Sequence, residues 1–166
     1  SEVLRTVTDA YEPVAEDAGR SMHTDIAGGL AIPGDRELLA QLFVNLVENA
    51  LHHSPTGTAI DVRAALDSGG VVAEIADHGP GIPPEEREAV FRRFYRLERS
   101  RTSPGQGLGL SLVRAIADLH DAQVELFDNG PGLRVRLRFG GHGNAARPKA
   151  SQNPPSRHRF SRTRTR

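Results

Sequence analysis

A chain of 166 residues with 37% hydrophobic residues is long enough to bury the core of one ordinary domain. It contains no cysteine, which excludes disulfides and thiolate metal sites and fits a reducing compartment, so we expect a cytoplasmic location. No apolar run approaches the ~20 residues that span a bilayer, and no signal-peptide pattern opens the chain. We therefore expect no membrane contact by this domain itself.

Charge is distributed unevenly, although the formal net charge is zero. Residues 1–139 carry 21 acidic and 14 basic side chains, a formal charge of −7, which argues against a nucleic-acid-binding body. Residues 140–166 carry seven basic side chains and no acid, in a Gly-, Pro-, Ser- and Arg-rich composition typical of disorder. We expect a folded domain over 1–139 and a basic tail over 140–166. The tail could touch nucleic acid or anionic lipid, but a solvated terminus or a vector remnant is the simpler interpretation.

The N-terminal part is predicted to contain a helix and two short strands. Apolar residues recur at helical spacing over 4–18, where Pro13 argues against a regular helix. Short strands are expected over 22–26 and 30–32. Because the chain begins with Ser rather than Met, we expect it to be a piece of a longer protein, which leaves a membrane-anchored parent open.

The best-patterned helix of the chain is predicted over 36–53. Asp35 follows a Pro-Gly turn and is suited to accept from the first free N–H groups, and Ser-Pro-Thr-Gly at 54–57 ends the helix. Its apolar stripe consists of Leu39, Leu42, Phe43, Leu46, Val47 and Ala50.

Beyond this helix, hairpin-linked strands alternate with helices. The predicted elements are strands over 60–66 and 71–76 joined by a turn at 67–70, a short helix over 85–95 with Val90, Phe91 and Phe94 inward, a loop over 96–109, a helix over 110–119, and strands over 123–127 and 133–139. Hairpins imply antiparallel pairing. The predicted fold class is therefore α/β (α+β), a two-layer sandwich of a mixed, mostly antiparallel sheet with helices packed on one face.

Polar side chains occupy the helix face opposite the apolar stripe. Asn45 and Asn49 are four residues apart, Glu48 lies beside them and His52 continues the row. Asparagine is an indifferent helix former, so two on one face need a reason. Either this is a solvated polar face, or the amide oxygens are neutral hard ligands for Mg²⁺ or for phosphate-bound water.

Two glycine-containing segments lie further along the chain. Asp77 leaves the 71–76 strand and is followed by Gly79 and Gly81. The second segment, GQGLGL at 105–110, runs into a helix, where backbone N–H groups can close on an anion. Its spacing is neither the dinucleotide fingerprint nor the phosphate loop. Between the two, an arginine-rich stretch at 92–101 has the composition of a phosphate-closing lid, or of an exposed charged helix end.

The order of these elements resembles one family. The segments NLVENALHHS, DHGPGI, FRRFYRLERSR and GQGLGLSLV resemble the ATP-binding catalytic domain of bacterial sensor histidine kinases. That family belongs to the superfamily of gyrase-type topoisomerases, mismatch-repair ATPases and a heat-shock chaperone, whose ATP-binding fold is of the Bergerat type. The resemblance covers about residues 3–139.

The resemblance implies a role for each motif. Asp77 matches the acid that accepts a hydrogen bond from the exocyclic amine of adenine, with Gly79 and Gly81 allowing the backbone to approach the base. Asn49 matches the Mg²⁺ ligand, and Asn45 its partner toward the phosphates of ATP. The other positions assigned to the nucleotide are Glu48, His52, His53, Ile82, Arg101, Gly105, Gln106, Gly107, Leu108, Gly109 and Leu110, with Arg96 and Arg101 as the lid arginines.

Three positions qualify what the resemblance implies. His52 stands where the family usually has Lys or Arg, which weakens that phosphate contact and makes it pH-dependent. Gln106 stands where a small hydroxyl residue is common. Asn45 occupies the position of the glutamate that activates water in relatives that hydrolyse ATP, and an amide cannot take a proton. The γ-phosphate is therefore kept for transfer, and positioning and charge neutralisation carry catalysis.

The implied reaction is transfer of the γ-phosphate of Mg-ATP to a histidine on a separate dimerisation domain, then to an aspartate of a response regulator. That histidine is absent here, because the only His followed by an acid is His120, which we interpret as structural. The other histidines lack convincing metal spacing. Two alternatives remain: a serine kinase of the anti-sigma-factor type, and a non-catalytic nucleotide-sensing module.

Overall fold

The computed structural model describes residues 1–67, 70–95 and 108–140. The described residues form three helices, Glu2–Asp17 (α1), Arg36–His53 (α2) and Gly109–Leu119 (α3), and five strands, Ser21–Ile26 (β1), Ala59–Asp67 (β2), Gly70–Ala76 (β3), Gln123–Asp128 (β4) and Leu133–Phe139 (β5). Two single-turn 3-10 helices, Pro84–Glu86 and Ala89–Phe91, follow β3. No helix among these residues is long and apolar enough to cross a membrane.

The strands form one mixed sheet in the order β1-β2-β3-β5-β4. β1 and β2 are parallel because α2 connects them, whereas the other three pairs are antiparallel. α2 lies between α1 and α3 on one face of the sheet. This is the predicted two-layer sandwich, and the fold class is confirmed.

The core lies between the helices and one face of the sheet. The apolar stripe of α2 is buried as predicted, and β5 alternates buried Leu133, Val135, Leu137 and Phe139 with half-buried arginines. The opposite face carries a row of alternating charge that crosses all five strands. Its members, in register, are Asp25, Arg63, Glu74, Arg136 and Glu125. Arg136 Nε donates to Glu74 Oε1 at 2.6 Å, so this face suits water rather than a second layer.

The predictions of α1 and of the α2 cap are both confirmed. α1 tolerates Pro13 because this residue is exposed, so that the carbonyl it deprives of a donor can bind water. Asp35 caps α2 as expected, its Oδ1 accepting from the N–H groups of Glu37 at 2.8 Å and Leu38 at 3.0 Å.

Two other predictions are wrong. Residues 30–32 form no strand, because the chain leaves β1 by a crossover to α2 instead of a hairpin; buried Leu30 joins the core from a loop. Residues 85–95 form no continuous helix. Arg92 is extended and Phe94 has φ +63°, which break the helical path, and Phe94 is 73% exposed instead of inward. Val90 is buried and Phe91 half-buried, as expected.

The β2–β3 hairpin is confirmed by the pairing of Asp67 with Gly70. The rest of its turn, at 68–69, lies outside the described residues, as do most of the predicted loop, at 96–107, and the tail from 141 onward.

Candidate nucleotide-binding site

Asp77 follows directly after β3 and is 7% exposed. Its Oδ1 accepts two backbone hydrogen bonds, from Gly79 N at 2.8 Å and from Leu133 N at 3.2 Å. Its own N–H donates to Leu133 O at 2.9 Å. Within the described part of the chain, no hydrogen bond reaches Oδ2. The carboxylate is therefore held by one oxygen and offers the other.

The surroundings of Asp77 act on its pKa in opposite directions. Burial raises the pKa, and this is the largest influence. The two N–H donors and the neighbouring His78 lower it, because they stabilise the charged form, and the pKa stays raised overall. A buried carboxylate with a free oxygen is suited to accept from a neutral donor of a ligand.

The two glycines after Asp77 are required by contacts inside the chain. A Cβ on Gly79 would lie 2.6 Å from the carbonyl oxygen of His53, at the end of α2. Gly81 has φ +66°, and a Cβ there would lie 2.8 Å from Gly132 O. These glycines were expected to allow the close approach of a base; the fold itself already needs both.

The second part of the site is where α2 faces the first residue of α3. A Cβ on Gly109 would lie 3.2 Å from Asn49 Nδ2 and 3.5 Å from Asn45 Oδ1, so both amides face the start of α3. Asn45 Nδ2 donates to Gln41 O at 2.7 Å, which leaves its Oδ1 toward Gly109. We call Asn45 and Asn49 the amide pair.

The amide pair contains an unsatisfied polar atom. Asn49 Nδ2 is buried, and no described residue hydrogen-bonds it. No side chain of the described residues caps the N-terminus of α3 either. Buried polar atoms without a partner are rare in folded proteins, and helix N-termini attract anions. The chemistry here, two amides beside a partial positive charge, fits a phosphate group and an oxygen-ligated cation.

Glu48 is turned toward α1. Tyr11 Oη donates to Glu48 Oε1 at 2.7 Å, and burial together with this carboxylate raises the pKa of Tyr11 to about 12. Glu48 thus faces α1, a helix that was not expected near the site, and its assignment to the nucleotide stays a prediction.

The remaining predicted residues differ in burial, and some of them lie outside the described residues. His52 and His53 are exposed, with rings in edge-to-face contact at 4.9 Å. Ile82 is buried in the core, and Leu108 and Leu110 are half-buried at the start of α3. Five predicted residues, Arg96, Arg101, Gly105, Gln106 and Gly107, lie outside the described residues.

The turn at residues 129–132, which we call the β4–β5 turn, was not predicted to lie at the site. Asn129 Nδ2 donates to Asp77 O at 2.9 Å, and a Cβ on Gly132 would lie 1.8 Å from the same carbonyl oxygen. The Asn-Gly-Pro-Gly string signals a turn. Its proximity to Asp77 depends on the pairing of β3 with β5, which are distant in sequence.

His120 joins two helices. Asp35 N–H donates to Nε2 at 2.9 Å, so Nδ1 carries the proton and donates to Ile116 O at 2.8 Å. Both ring nitrogens are thereby engaged, in agreement with a structural role. No group of three His, Cys, Asp or Glu side chains among the described residues could hold a metal ion.

Known proteins resemble this chain in sequence. Residues 34–142 match the model of the histidine kinase-, DNA gyrase B- and HSP90-like ATPases. The sensor-like histidine kinase SenX3 of Mycobacterium tuberculosis is 33% identical over 132 residues, which cover 78% of this chain and 32% of SenX3. The kinase/phosphatase MprB of Mycobacterium leprae is 39% identical over 115 residues, covering 68% of this chain and 22% of MprB. The chain thus spans about a third or less of these relatives.

Solved structures of histidine kinases are similar to this chain in fold. The mycobacterial sensor histidine kinase MprB has a TM-score of 0.74 at 29% identity, over 84% of this chain and 93% of that one. Full-length ShkA in complex with AMPPNP has a TM-score of 0.72 at 26% identity, over 84% of this chain and 30% of that one. The catalytic domain of ThkA, with a TM-score of 0.76 at 24% identity over 84% of this chain and 91% of that one, shows the fold alone. The chain belongs to the family of histidine kinase-, DNA gyrase B- and HSP90-like ATPases, and its relatives are sensor histidine kinases.

Proposed function

We propose that this domain binds Mg-ATP and transfers its γ-phosphate to a histidine of a separate dimerisation domain. The observation that carries the proposal is the amide pair on α2 beside Gly109, with Asn49 Nδ2 buried, facing the start of α3 and without a hydrogen-bond partner among the described residues. A polar atom in that position favours a phosphate-bearing ligand over a solvated helix face.

The adenine is bound through Asp77. With Oδ1 occupied by two backbone donors, Oδ2 accepts from the exocyclic amine of the base. Guanine carries an acceptor at that position, and two facing acceptors in a buried place disfavour binding by roughly 1–3 kcal/mol. The site is thereby selective for adenine.

The triphosphate lies toward the amide pair and the start of α3. Asn49 would hold Mg²⁺, with Asn45 beside it, and the ion would supply charge neutralisation of the triphosphate. Gly105, Gln106, Gly107, Leu108, Gly109 and Leu110 would bind the phosphates through their backbone, and Arg96 and Arg101 would close over them. His52 would add a pH-dependent contact.

The contacts of Asn45 and Glu48 support transfer of the γ-phosphate to a histidine rather than hydrolysis of ATP. Asn45 carries no basic atom, and its amide already donates to Gln41 O. Glu48, the one carboxylate among residues 45–53 of α2, is engaged by Tyr11. Asn45 cannot take a proton, and Glu48 is turned toward α1 by Tyr11. The histidine nitrogen therefore attacks the γ-phosphorus in place of water, the bond to the β-phosphate oxygen breaks, and ADP leaves.

The partners follow from this reaction. The acceptor is the dimerisation domain of a longer parent protein, and the phosphoryl group passes on to an aspartate of a response regulator. We place the domain in the cytoplasm, whether or not the parent is membrane-anchored. The folded body is not expected to bind nucleic acid, because it is acidic.

Radiolabelled ATP tests the proposal. The domain is incubated with the histidine-bearing hairpin of the parent, and the chemistry of the label is read. Acid-labile, base-stable label on the hairpin supports a histidine kinase. Acid-stable phosphoserine would indicate a serine kinase of the anti-sigma-factor type. Binding of ATP without transfer of the label would indicate a non-catalytic nucleotide sensor.

Two controls sharpen that assay. Leu66→Ala changes an exposed residue at the end of β2 remote from Asp77 and should label the hairpin normally. The domain alone should not label itself, because both nitrogens of His120 are engaged; self-labelling at His120 would contradict this assignment.

A further inference from the structure

The side chain of Asn129, in the β4–β5 turn, makes two hydrogen bonds on either side of Leu133, the residue whose N–H binds Asp77. Asn129 Nδ2 donates to Asp77 O at 2.9 Å, and Asn129 Oδ1 accepts from Arg134 Nη2 at 2.9 Å. A carbonyl only accepts and a guanidinium only donates, so these partners fix the orientation of the amide. Asn129 begins the turn, Arg134 lies on β5 just after it, and Leu133 lies between these two residues.

Leu133 contributes to the site through its backbone N–H group. Leu133 N–H donates to Asp77 Oδ1 at 3.2 Å, the upper limit of an ordinary N–H···O hydrogen bond. A shift of the turn by a few tenths of an ångström is enough to break it. The other donor, Gly79 N–H at 2.8 Å, belongs to the segment of Asp77 itself and does not depend on the turn.

The turn also packs against the backbone of Asp77. A Cβ on Gly132 would lie 1.8 Å from Asp77 O, the carbonyl to which Asn129 donates. Asn129 N–H donates to Gly132 O at 3.1 Å, which closes the turn. The amide of Asn129 is thus the one side-chain group of this turn that joins it to Asp77 in the described structure.

We propose that Asn129 is a positioning residue for the nucleotide site, which acts by holding Leu133 N–H on Asp77 Oδ1. The proposal rests on the proposed function, in which Asp77 binds adenine. Occupation of Oδ1 by two donors keeps the carboxylate in one rotamer, directs Oδ2 to the ligand, and favours the charged form. Without Asn129 the carboxylate keeps only the Gly79 donor on Oδ1, so its rotamer is less restricted and it binds a proton more readily.

Several ionisable groups surround Asp77, and the substitution of Asn129 removes none of them. They are His78 on the same segment, His53 at the end of α2, Arg134 on β5, and the pair of Arg87 with Asp128 beside the turn. Arg134 loses its contact with Asn129 Oδ1 in the variant but keeps its charge, so a shift in the titration of Asp77 reports chiefly the loss of hydrogen bonding at the carboxylate.

The test combines two measurements on Asn129→Ala, with Arg138→Ala as control. Arg138 also lies on β5, where it pairs with Asp67 at 3.0 Å far from the turn. The first measurement is the carboxyl ¹³C NMR titration of Asp77 without nucleotide. The midpoint is expected to move to higher pH in Asn129→Ala and to stay at the wild-type value in Arg138→Ala.

The second measurement is ATP affinity as a function of pH. Asn129→Ala should bind ATP roughly tenfold more weakly near neutral pH, the size of one lost hydrogen bond, and lose affinity at higher pH than wild type during acidification. An unchanged Asp77 titration, or a loss of affinity matched by Arg138→Ala at equal stability, would overturn the proposal. Wild-type protein that binds no ATP would refute the proposed function instead, while the NMR titration still decides the role of Asn129.

Discussion

Asp77→Asn should separate the effect on nucleotide binding from the effect on stability. Asn has nearly the same shape, and its Oδ1 can still accept from Gly79 N–H and Leu133 N–H. The change is confined to the other position, where an NH₂ group replaces Oδ2. A donor then faces the exocyclic amine of adenine.

The magnitude has two parts. The variant loses a hydrogen bond to a charged group, about 1.5–3 kcal/mol, and buries an unpaired donor, about 1–3 kcal/mol more. Together these weaken ATP binding by roughly 10²- to 10⁴-fold. The free energy of unfolding, in contrast, should increase at neutral pH. The burial of an ionised carboxyl, which raises the pKa of Asp77, is a cost that the variant no longer has.

Isothermal titration calorimetry with Mg-ATP and thermal unfolding of the free protein check the two parts. We expect loss of binding in a protein that melts at or above the wild-type temperature. ATP affinity equal to wild type would refute the adenine role of Asp77. If the variant instead melts at a lower temperature, so that unfolding explains its loss of binding, the carboxylate of Asp77 does not destabilise the fold and this part of the reasoning is wrong.

Three further predictions concern the metal, pH and the β4–β5 turn. Asn49→Ala should remove the enhancement of ATP binding by Mg²⁺ and cause a smaller loss of metal-free binding through the missing Nδ2 donor, which calorimetry with and without the ion measures; an intact enhancement would place the ion elsewhere. Because burial raises the pKa of Asp77, the folded state holds that proton more tightly than the unfolded chain. The free energy of unfolding of wild type relative to Asp77→Asn should therefore increase as pH falls through the raised pKa, and denaturant titrations that show a pH-independent difference would contradict this sign. Gly132→Ala should destabilise the fold by about 3 kcal/mol or more, since φ is +117° and the Cβ would lie 1.8 Å from Asp77 O; Gly29→Ala, with φ +72° and open space, should cost only about 1–2 kcal/mol in the same denaturant assay.

The fold and the site motifs were largely predictable because they depend on local patterns. The apolar stripe of α2, the cap at Asp35 and the alternation of β5 each follow from the period of one element. The positions of Asp77 and the amide pair in the motif order identified the family, which the match over residues 34–142 confirms.

What escaped prediction depends on contacts between distant segments. Phe94 was expected inward from helical spacing, but its positive φ turns it into solvent. Tyr11 and Asn129 reach Glu48 and Asp77 only because the fold brings α1 to α2 and the β4–β5 turn to the end of β3. Separations of 37 and 52 residues leave no trace in local composition.

A crystal structure of the domain with Mg²⁺ and a non-hydrolysable ATP analogue would test the central claim most directly. We expect the exocyclic amine of adenine on Asp77 Oδ2, with Oδ1 still bound by Gly79 and Leu133, and the ion on Asn49 Oδ1. A nucleotide bound away from Asp77, or an ion that does not contact the amide pair, would contradict the account.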